Sequence, residues 1–274
     1  MVFGFYGLSR SKSWAGFGAK AGTIAFAVII TTTADAQTKP LNDTGINFCG
    51  GATSGNNSPC LAADPAGQDR DYGRDGAARN GALSAKIGGS SGAVDGSPNG
   101  FDFTKIANNG AALAPGAGLG TAPTDWACTR DNVTGLIWEV KTASGLRNQV
   151  HTYTWYMTNS PDGNNGTVSG GTCATAGRCD TEKFTVDVNT TGLCGFNTGW
   201  RMPTVKELQG IADFGRVNPA IDPTYFPNTP SSYVWSGTPF ASYPDYSYRV
   251  DFGNGGNPYW YRNSSNSARL VRGG

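Results

Sequence analysis

The stretch TRDNVTGLIWEVKT, residues 129–142, has the pattern of a β-hairpin and organises the second half of the chain. Asp131 and Asn132 favour a turn, because their short side chains can hydrogen-bond to nearby main-chain groups. Three large apolar side chains then alternate along the following strand and should occupy its inner face: Leu136, Trp138 and Val140. We therefore predict a sheet with this hairpin at its centre, and we expect the apolar residues around Leu270 to pair with it.

A helix is predicted in PTVKELQGIADFG, residues 203–215. Thr204 and Glu207 have the spacing of a capping box, in which each side chain bonds the main chain of the other residue. Gly215 supplies a stop signal. One face of this helix carries the apolar residues Val205, Leu208 and Ile211.

One earlier helix and three short strands make up the remaining regular structure. Asp180 can cap a helix that runs to about Thr191, with Phe184 and Val188 four residues apart on its buried side. The strands are expected around residues 233–236, 248–252 and 268–271, separated by Gly, Asn and Pro.

The start of the chain has the three-part pattern of a signal peptide. Residues 1–20 carry three basic side chains and no acidic one, and an apolar run follows at residues 21–30. Ala34 and Ala36 are small enough for the cleavage pocket of a signal peptidase. We expect cleavage after Ala36, which predicts a protein that is secreted, periplasmic or held at the cell surface, with membrane contact only during export.

All six cysteines follow the predicted cleavage site, and an even number in an oxidising compartment indicates disulfides. Fifteen pairings are possible. Short separations favour two local pairs and leave a third: Cys49–Cys60, Cys173–Cys179 and Cys128–Cys194. A cysteine metal site is disfavoured because no CxxC spacing occurs.

Composition excludes several classes of function. The chain of 274 residues contains 40 Gly and 15 Pro, which disfavours long helices, and a net charge of +1 argues against a nucleic-acid binder. A single histidine, His151, excludes any site that needs two imidazoles. We predict no catalytic residue, no metal and no cofactor.

Residues 37–121 are dominated by small and polar side chains, so we expect this part to lie as extended, loop-rich chain over the residues that follow. The cluster GQDRDYGRD, residues 67–75, has two interpretations. Its alternating aspartates are compatible with a calcium loop. The interspersed arginines instead favour a solvated turn of ion pairs, which is the interpretation we adopt.

Five ordered motifs give the chain a resemblance to a known family. They are DNVTGLIWE (131–139), CGFNTGWRMPTVKELQGIAD (194–213), NPAIDPTYFP (218–227), WSGTPF (235–240) and ARLVRGG (268–274). Together they resemble the Lcl C-terminal domain family over residues 122–274. The resemblance implies an α+β, C-type-lectin-like fold with two short helices, a small twisted antiparallel sheet that ties the ends together, and extensive loops. It also implies an adhesion module that binds glycans.

Residues 241–267 are rich in Tyr, Trp, Asn and Ser, a composition typical of antibody-like contact surfaces. Aromatic rings can stack on sugar faces, while amides and guanidinium groups bond hydroxyls or sulfates. We predict a ligand surface that recognises a glycan or a cell-surface protein. The candidate contact residues are Tyr246, Tyr259, Tyr261, Asn257, Asn263, Asn266, Arg249 and Arg262. Four other large aromatic residues are assigned to the core: Trp138, Trp155, Trp200 and Trp235.

Two motif absences refine this prediction. The EPN, QPD and WND motifs of calcium-dependent lectins do not occur, so sugar binding is expected to be calcium-independent. Strong binding to sulfated polymers needs several arginines to converge, and the candidates are Arg249, Arg262, Arg269 and Arg272.

Three alternatives stay open. The Asn/Tyr/Ser/Asp palette also results from randomising adenines in codons, so the segment is a candidate variable region of a diversity-generating retroelement. An enzyme of the formylglycine-generating kind is similar in broad fold but needs a reactive cysteine pair. A structural surface-layer component predicts self-association instead of ligand capture.

Overall fold

The computed structural model describes residues 41–51, 55–57, 60–79 and 100–273. The signal peptide predicted for residues 1–36 lies outside the described residues. In the part of the chain that is described, no helix has the length and apolar character needed to cross a membrane.

The described chain is α+β, as predicted, with short helices and small sheets. Helical segments are the 3₁₀ helix Asp69–Asp71, α1 (Gly73–Arg79), α2 (Thr181–Thr191) and α3 (Val205–Gln209). The first strands are β1 (Cys49–Gly50), β2 (Asn56–Asn57), β3 (Phe103–Ala107), β4 (Trp126–Asp131) and β5 (Leu136–Glu139). The last are β6 (Tyr233–Pro239), β7 (Tyr246–Asp251), β8 (Tyr259–Tyr261), β9 (Ser267–Ala268) and β10 (Val271–Gly273).

The first four-stranded sheet joins the predicted hairpin to the end of the chain. Its strand order is β10-β5-β4-β3, and all neighbouring strands are antiparallel. Val271 lies opposite Trp138, and Arg272 lies opposite Ile137. The predicted pairing between the hairpin and the terminal segment is therefore confirmed.

Strand β3 corrects the prediction that residues 37–121 lie only as extended chain over the later residues. Phe103–Ala107 pairs with β4 and forms an edge of the first sheet. The large apolar side chains Phe101, Phe103 and Ile106 are buried in the same cores as the residues of the hairpin. These few side chains supply enough apolar surface for a strand, which the polar average composition of the region conceals.

The hairpin separates two hydrophobic cores. Leu136 and Trp138 pack in one core with residues such as Phe252, whereas Ile137 packs in the other with Phe184 of α2. All four residues of β5 are buried, so both faces of the strand are covered. Because Val140 is also fully buried, the three side chains predicted to point inward do so.

Helix α2 forms where the sequence predicts it. The side chain of Asp180 accepts a hydrogen bond from the main-chain N–H of Lys183 at 2.8 Å, which satisfies one of the free donors at the helix start. Phe184 and Val188 are buried, and Gly192 ends the helix with a φ of +79°. Such a positive φ favours glycine because a Cβ would be strained there.

Helix α3 begins as predicted but is shorter. The capping box of Thr204 and Glu207 is present, yet the helix ends at Gln209 and not near Gly215. The buried Asp213 carboxylate accepts a hydrogen bond from the N–H of Gly215 at 2.9 Å, a local bond that competes with helical pairing. The side chain of Arg201 forms an ion pair with Glu207 at 2.6 Å.

The second four-stranded sheet carries the segment predicted to bind a ligand. Its order is β8-β7-β6-β9, with β6 and β9 parallel and the other pairs antiparallel. Trp235 belongs to β6 of this sheet, and Trp155 donates its indole N–H to the carbonyl of Ser236 in the same strand at 2.9 Å. Both indoles are buried, and that of Trp235 donates to the Tyr153 carbonyl at 2.9 Å. Trp200 is buried in the second core. The assignment of these indoles to the core is confirmed.

The three disulfides have the connectivity that the spacing favours. They are Cys49–Cys60, Cys128–Cys194 and Cys173–Cys179. Cys128 lies in β4 and Cys194 follows α2, so this bridge ties a helix to the first sheet.

Residues 42–44 of the N-terminal part are hydrogen-bonded to residues that come much later in the chain. Asn42 donates to the Asp131 carboxylate at 2.6 Å and to the carbonyl of Gly210 at 2.8 Å. The N–H of Phe214 donates to the carbonyl of Thr44 at 2.8 Å. These contacts fix residues 42–44 against the turn that follows α3.

Residues 67–75 form the predicted solvated turn of ion pairs only in part: Asp69 is exposed and Arg70 pairs with Asp71 at 4.0 Å, but the end of the segment leaves the solvent. Asp75 is buried, and its carboxylate accepts hydrogen bonds from the N–H groups of Gly45 at 2.8 Å and Gly100 at 2.5 Å. Arg70 is also buried and contacts the sulfur of Cys60. The prediction fails at Asp75 because main-chain donors from distant segments replace the water that would solvate its carboxylate.

Raising the pH from 5 to 7 is expected to lower the stability of the fold. Burial raises the pKa of both Asp75 and Asp213 from 3.8 to about 6. Since the folded state binds these protons more tightly than the unfolded state, their contribution is fully present below pH 3.8 and is lost as the pH rises through 6. We expect a loss of about 1 kcal/mol per group, measured by urea unfolding at a series of pH values. Asp213→Asn, which cannot titrate, should show about half the slope; an unchanged slope would contradict this account.

Candidate functional site

Strand β8 presents three consecutive aromatic side chains at the edge of the second sheet. Tyr259, Trp260 and Tyr261 are 44%, 45% and 48% exposed. Because side chains alternate along a strand, Tyr259 and Tyr261 lie on one face of the sheet and Trp260 lies on the other. The strand therefore contributes rings to two surfaces.

The face that contains Tyr259 and Tyr261 carries a continuous group of aromatic rings, which we call the aromatic surface. Its members are Phe240, Tyr243, Tyr246, Tyr248, Tyr259 and Tyr261. The ring of Phe240 stacks on that of Tyr259 at 3.9 Å between centroids, and the rings of Tyr246 and Tyr261 are 4.2 Å apart. Ring contacts of this kind stabilise the side chains in a fixed arrangement.

The phenol group of Tyr246 stays uncharged at neutral pH. The pKa of Tyr246 is raised to about 12, chiefly by a hydrogen bond with Tyr261. Nearby tyrosines and Asp245 raise it further by disfavouring a phenolate charge. The surface thus combines flat apolar rings with phenol hydroxyl groups, which suits a ligand with apolar faces and hydroxyl groups.

Replacing Tyr261 by phenylalanine is expected to lower the pKa of Tyr246 from about 12 towards 10.0, because it removes the principal hydrogen bond. A pH titration followed by NMR of ¹³C-labelled tyrosine rings measures this change. Tyr243→Phe is the control, since it leaves the bond between Tyr246 and Tyr261 in place. A pKa that stays near 12 in Tyr261→Phe would show that another group holds the Tyr246 proton.

The outer edge of β8 adds main-chain hydrogen-bonding groups. Arg249 N–H donates to Pro258 O, and Arg262 N–H donates to Asp245 O, both at 2.9 Å. In an antiparallel ladder the bonded pairs alternate, so the polar main-chain groups of Tyr259 and Tyr261 face away from β7. The Tyr261 carbonyl accepts from Ser264, at 3.0 Å, within the turn that follows.

Two of the three predicted asparagines lie at the surface. Asn257 is exposed and donates to the side-chain oxygen of Gln209 at 3.0 Å. Asn263 is exposed in the turn after β8. Asn266 is buried, and its side-chain oxygen accepts a hydrogen bond from Arg249 at 3.1 Å. Asn266 therefore lies inside the fold, which corrects its assignment as a contact residue.

Arg249 is buried, which corrects its assignment as a ligand contact. Its guanidinium lies between two rings, 3.5 Å from the centroid of Tyr233 and 4.7 Å from that of Trp260. Burial lowers the pKa of this group. The cation is held by the electron-rich faces of the rings, so it stabilises the sheet from within.

Arg262 is buried as well and is corrected in the same way. It forms an ion pair with Asp162, and its guanidinium lies 3.9 Å from the ring centroid of Trp155. Arg262 directly follows β8, and the alternation of side chains along that strand places it on the inner side although Tyr261 and Asn263 beside it are exposed. Arg269 is also buried, so the convergence of arginines considered for a sulfated polymer is not found.

The described residues contain one group with metal-ligand spacing, formed by Cys49, Cys60 and Asp64. The two cysteines are joined in a disulfide and so present no thiolate to a metal. Asp245, which is exposed, accepts a hydrogen bond from the side chain of Asn164 at 2.6 Å.

Phe240, Tyr243 and Tyr248 complete the aromatic surface but were not among the predicted contact residues. The sequence contains a signal for them, because Tyr246 and Tyr248 share a strand face and Phe240 directly precedes the turn between β6 and β7. Hairpin pairing brings such residues together.

A model of the family described as the Lcl C-terminal domain matches residues 127–272. The match includes the whole aromatic surface and begins one residue inside β4. Neither a curated protein nor a solved structure matches the chain.

Proposed function

Because the chain belongs to the Lcl C-terminal domain family, we propose that it is a calcium-independent binding module that recognises a glycan or a cell-surface protein through the aromatic surface. Family membership indicates an adhesion-type module.

The observation that carries the proposal is the packing of six aromatic residues on one exposed sheet face. Soluble proteins seldom expose large apolar groups together unless they contact another molecule. Tyr243, Tyr259 and Tyr261 are 59%, 44% and 48% exposed. Rings held by mutual stacking lose little conformational freedom on binding, which favours affinity.

The chemistry of the cysteines supports a binding role over the formylglycine-generating alternative. That reaction needs a reactive thiol, and the six cysteines of this chain form three disulfides. The same bridges support export to an oxidising compartment. The proposal therefore places the protein outside the cytoplasm and assigns it no enzymatic activity.

A double variant, Tyr259→Ala/Tyr261→Ala, tests the proposal. The double variant, the control variant described below and the wild type are screened against a glycan array and against immobilised host-cell extract. We expect about a 30-fold loss of affinity for whichever probe the wild type binds, since central aromatic residues dominate such contacts. Tyr72→Ala, which removes an exposed tyrosine outside the aromatic surface, is the matched control.

Unfolding by urea accompanies the screen. If the double variant loses its fold, the two rings belong to the core; if it folds and binds as the wild type does, the aromatic surface is not the contact site. Self-association of the wild type without binding to any probe would favour the surface-layer alternative.

The retroelement hypothesis stays a prediction. Tyr259, Tyr261, Asn257 and Asn263 belong to the adenine-randomised palette and are exposed, as positions that vary without harm to the fold must be. A nearly identical repeat beside the gene, differing at adenines, is the expected observation.

A further inference from the structure

A second, separate depression lies at the other end of the same sheet. It measures about 540 Å³, and Tyr233 of β6 and Asp251 of β7 lie side by side in it as directly opposite residues. Its remaining polar lining includes Asn218, Ser231, Ser232 and Asn254. None of these residues belongs to the aromatic surface.

The three segments that form the depression are joined by main-chain hydrogen bonds. Asn218 N–H donates to Gly253 O at 3.0 Å, and Phe252 N–H donates to Ser232 O at 3.0 Å. The turn after β7 is closed by a bond of 2.7 Å from Gly255 N–H to Asp251 O. The shape is therefore set by the backbone before any ligand arrives.

Tyr233 provides a fixed aromatic platform. The guanidinium of Arg249 lies 3.5 Å from its ring centroid, while 36% of the residue stays exposed. A ring supported by a cation on one side keeps its orientation. An exposed ring held in this manner can stack on the apolar face of a pyranose.

The polar groups around this ring match the hydroxyls of a sugar. Asp251 uses one carboxylate oxygen to accept from Gly253 N–H at 2.8 Å, and Asn254 uses its amide oxygen to accept from Gly256 N–H at 2.9 Å. Neither the second Asp251 oxygen nor the Asn254 NH₂ forms a hydrogen bond with another of the described residues. One acceptor and one donor thus remain for a ligand.

The charge of the side chains that line the depression determines which kind of sugar it can bind. Asp251 is the one charged side chain among the described residues that line the depression. A carboxylate accepts hydrogen bonds from hydroxyls but repels sulfate and carboxylate groups. We infer that this depression binds an uncharged pyranose unit, stacked on Tyr233 and hydrogen-bonded by Asp251 and Asn254. The inference goes beyond the proposed function, because it assigns a different surface.

The test uses the full chain and a printed array of lactose, cellobiose, maltose, chitobiose and mannobiose, together with sulfated forms of each. We expect the wild type to bind at least one uncharged disaccharide in preference to its sulfated form. Tyr233→Ala and Asn254→Ala should each weaken that binding about tenfold, whereas Tyr233→Phe, which keeps the platform, should retain it. Asn254 is exposed, so its variant tests the site even if Tyr233→Ala disturbs the fold.

Four outcomes would overturn the inference. The first three are the absence of binding to every uncharged probe, a preference for sulfated probes, and full binding by a folded Asn254→Ala protein. The fourth is that Tyr259→Ala/Tyr261→Ala loses binding while the Tyr233 and Asn254 variants keep it. The last outcome would assign the sugar to the aromatic surface and support the proposed function. The two proposals can therefore fail separately.

Discussion

Replacing Cys128 and Cys194 by alanine is expected to lower the free energy of unfolding by about 4 kcal/mol. The bridge joins residues 66 apart in the chain, and a cross-link that closes a longer loop removes more entropy from the unfolded state. Both cysteines are fully buried, so the lost packing adds to the effect. Urea unfolding followed by tryptophan fluorescence measures the change.

The matched control is the double variant Cys173→Ala/Cys179→Ala. This bridge joins residues 6 apart, for which the same chain-entropy argument gives about 2 kcal/mol. Equal losses in the two double variants would show that loop closure does not explain the contribution of the disulfides. Reduction of all three disulfides should lower the free energy of unfolding by at least as much as either double variant does.

Glu139→Gln is expected to destabilise the protein by about 3–5 kcal/mol at pH 7. Glu139 is fully buried, and its carboxylate lies 3.1 Å from the ammonium of Lys141. It also provides the opposing charge for Arg269, a buried guanidinium that donates to the Glu139 carbonyl at 2.7 Å. Glutamine keeps the size of the side chain but leaves both cations without that charge.

The pH dependence of this variant follows from Lys141. Burial lowers its pKa from 10.5 to about 8, so the unfolded state binds this proton more tightly than the folded state. Stability from this group therefore rises as the pH increases from 8 to 10.5. Loss of Glu139 lowers the lysine pKa further, and the penalty of Glu139→Gln should be smaller at pH 9 than at pH 7.

Two further variants make the result interpretable. Glu139→Gln/Lys141→Met removes both charges and should recover a large part of the lost stability, because no lone ammonium remains buried. Glu207→Gln breaks the half-exposed pair with Arg201 while keeping a capping-box residue, and it should change stability by less than about 1 kcal/mol. If Glu139→Gln and Glu207→Gln lower the free energy of unfolding by the same amount, burial does not determine how much an ion pair contributes to stability.

Local patterns in the sequence were sufficient to predict much of the fold. The apolar alternation of Leu136 and Trp138, the caps at Asp180 and Thr204, and the short cysteine separations each act over a few residues. Such signals report the local chain directly. The docking of Asn42 depends on a bond to Asp131, 89 residues away in the chain, and no local pattern contains it.

The candidate site was predicted less completely. The exposure of Tyr259, Tyr261 and Asn263 follows from a polar, turn-rich segment. The burial of Arg249 does not, because it depends on rings from two other strands, Tyr233 and Trp260, that meet only in the folded sheet. An arginine in a polar run has the composition of a surface residue, and only strand register decides which way it points.

The alternation of rings along β8 makes the protein far more tolerant of substitutions than of insertions. Exchanging the residues at positions 259 or 261 changes one contact surface and leaves the pairing with β7 intact. Adding or deleting a single residue in the turn between β7 and β8 would instead slide the strand by one step and send Trp260 to the opposite side. Chemical variety can accumulate at this edge while the number of residues in the turn stays constant.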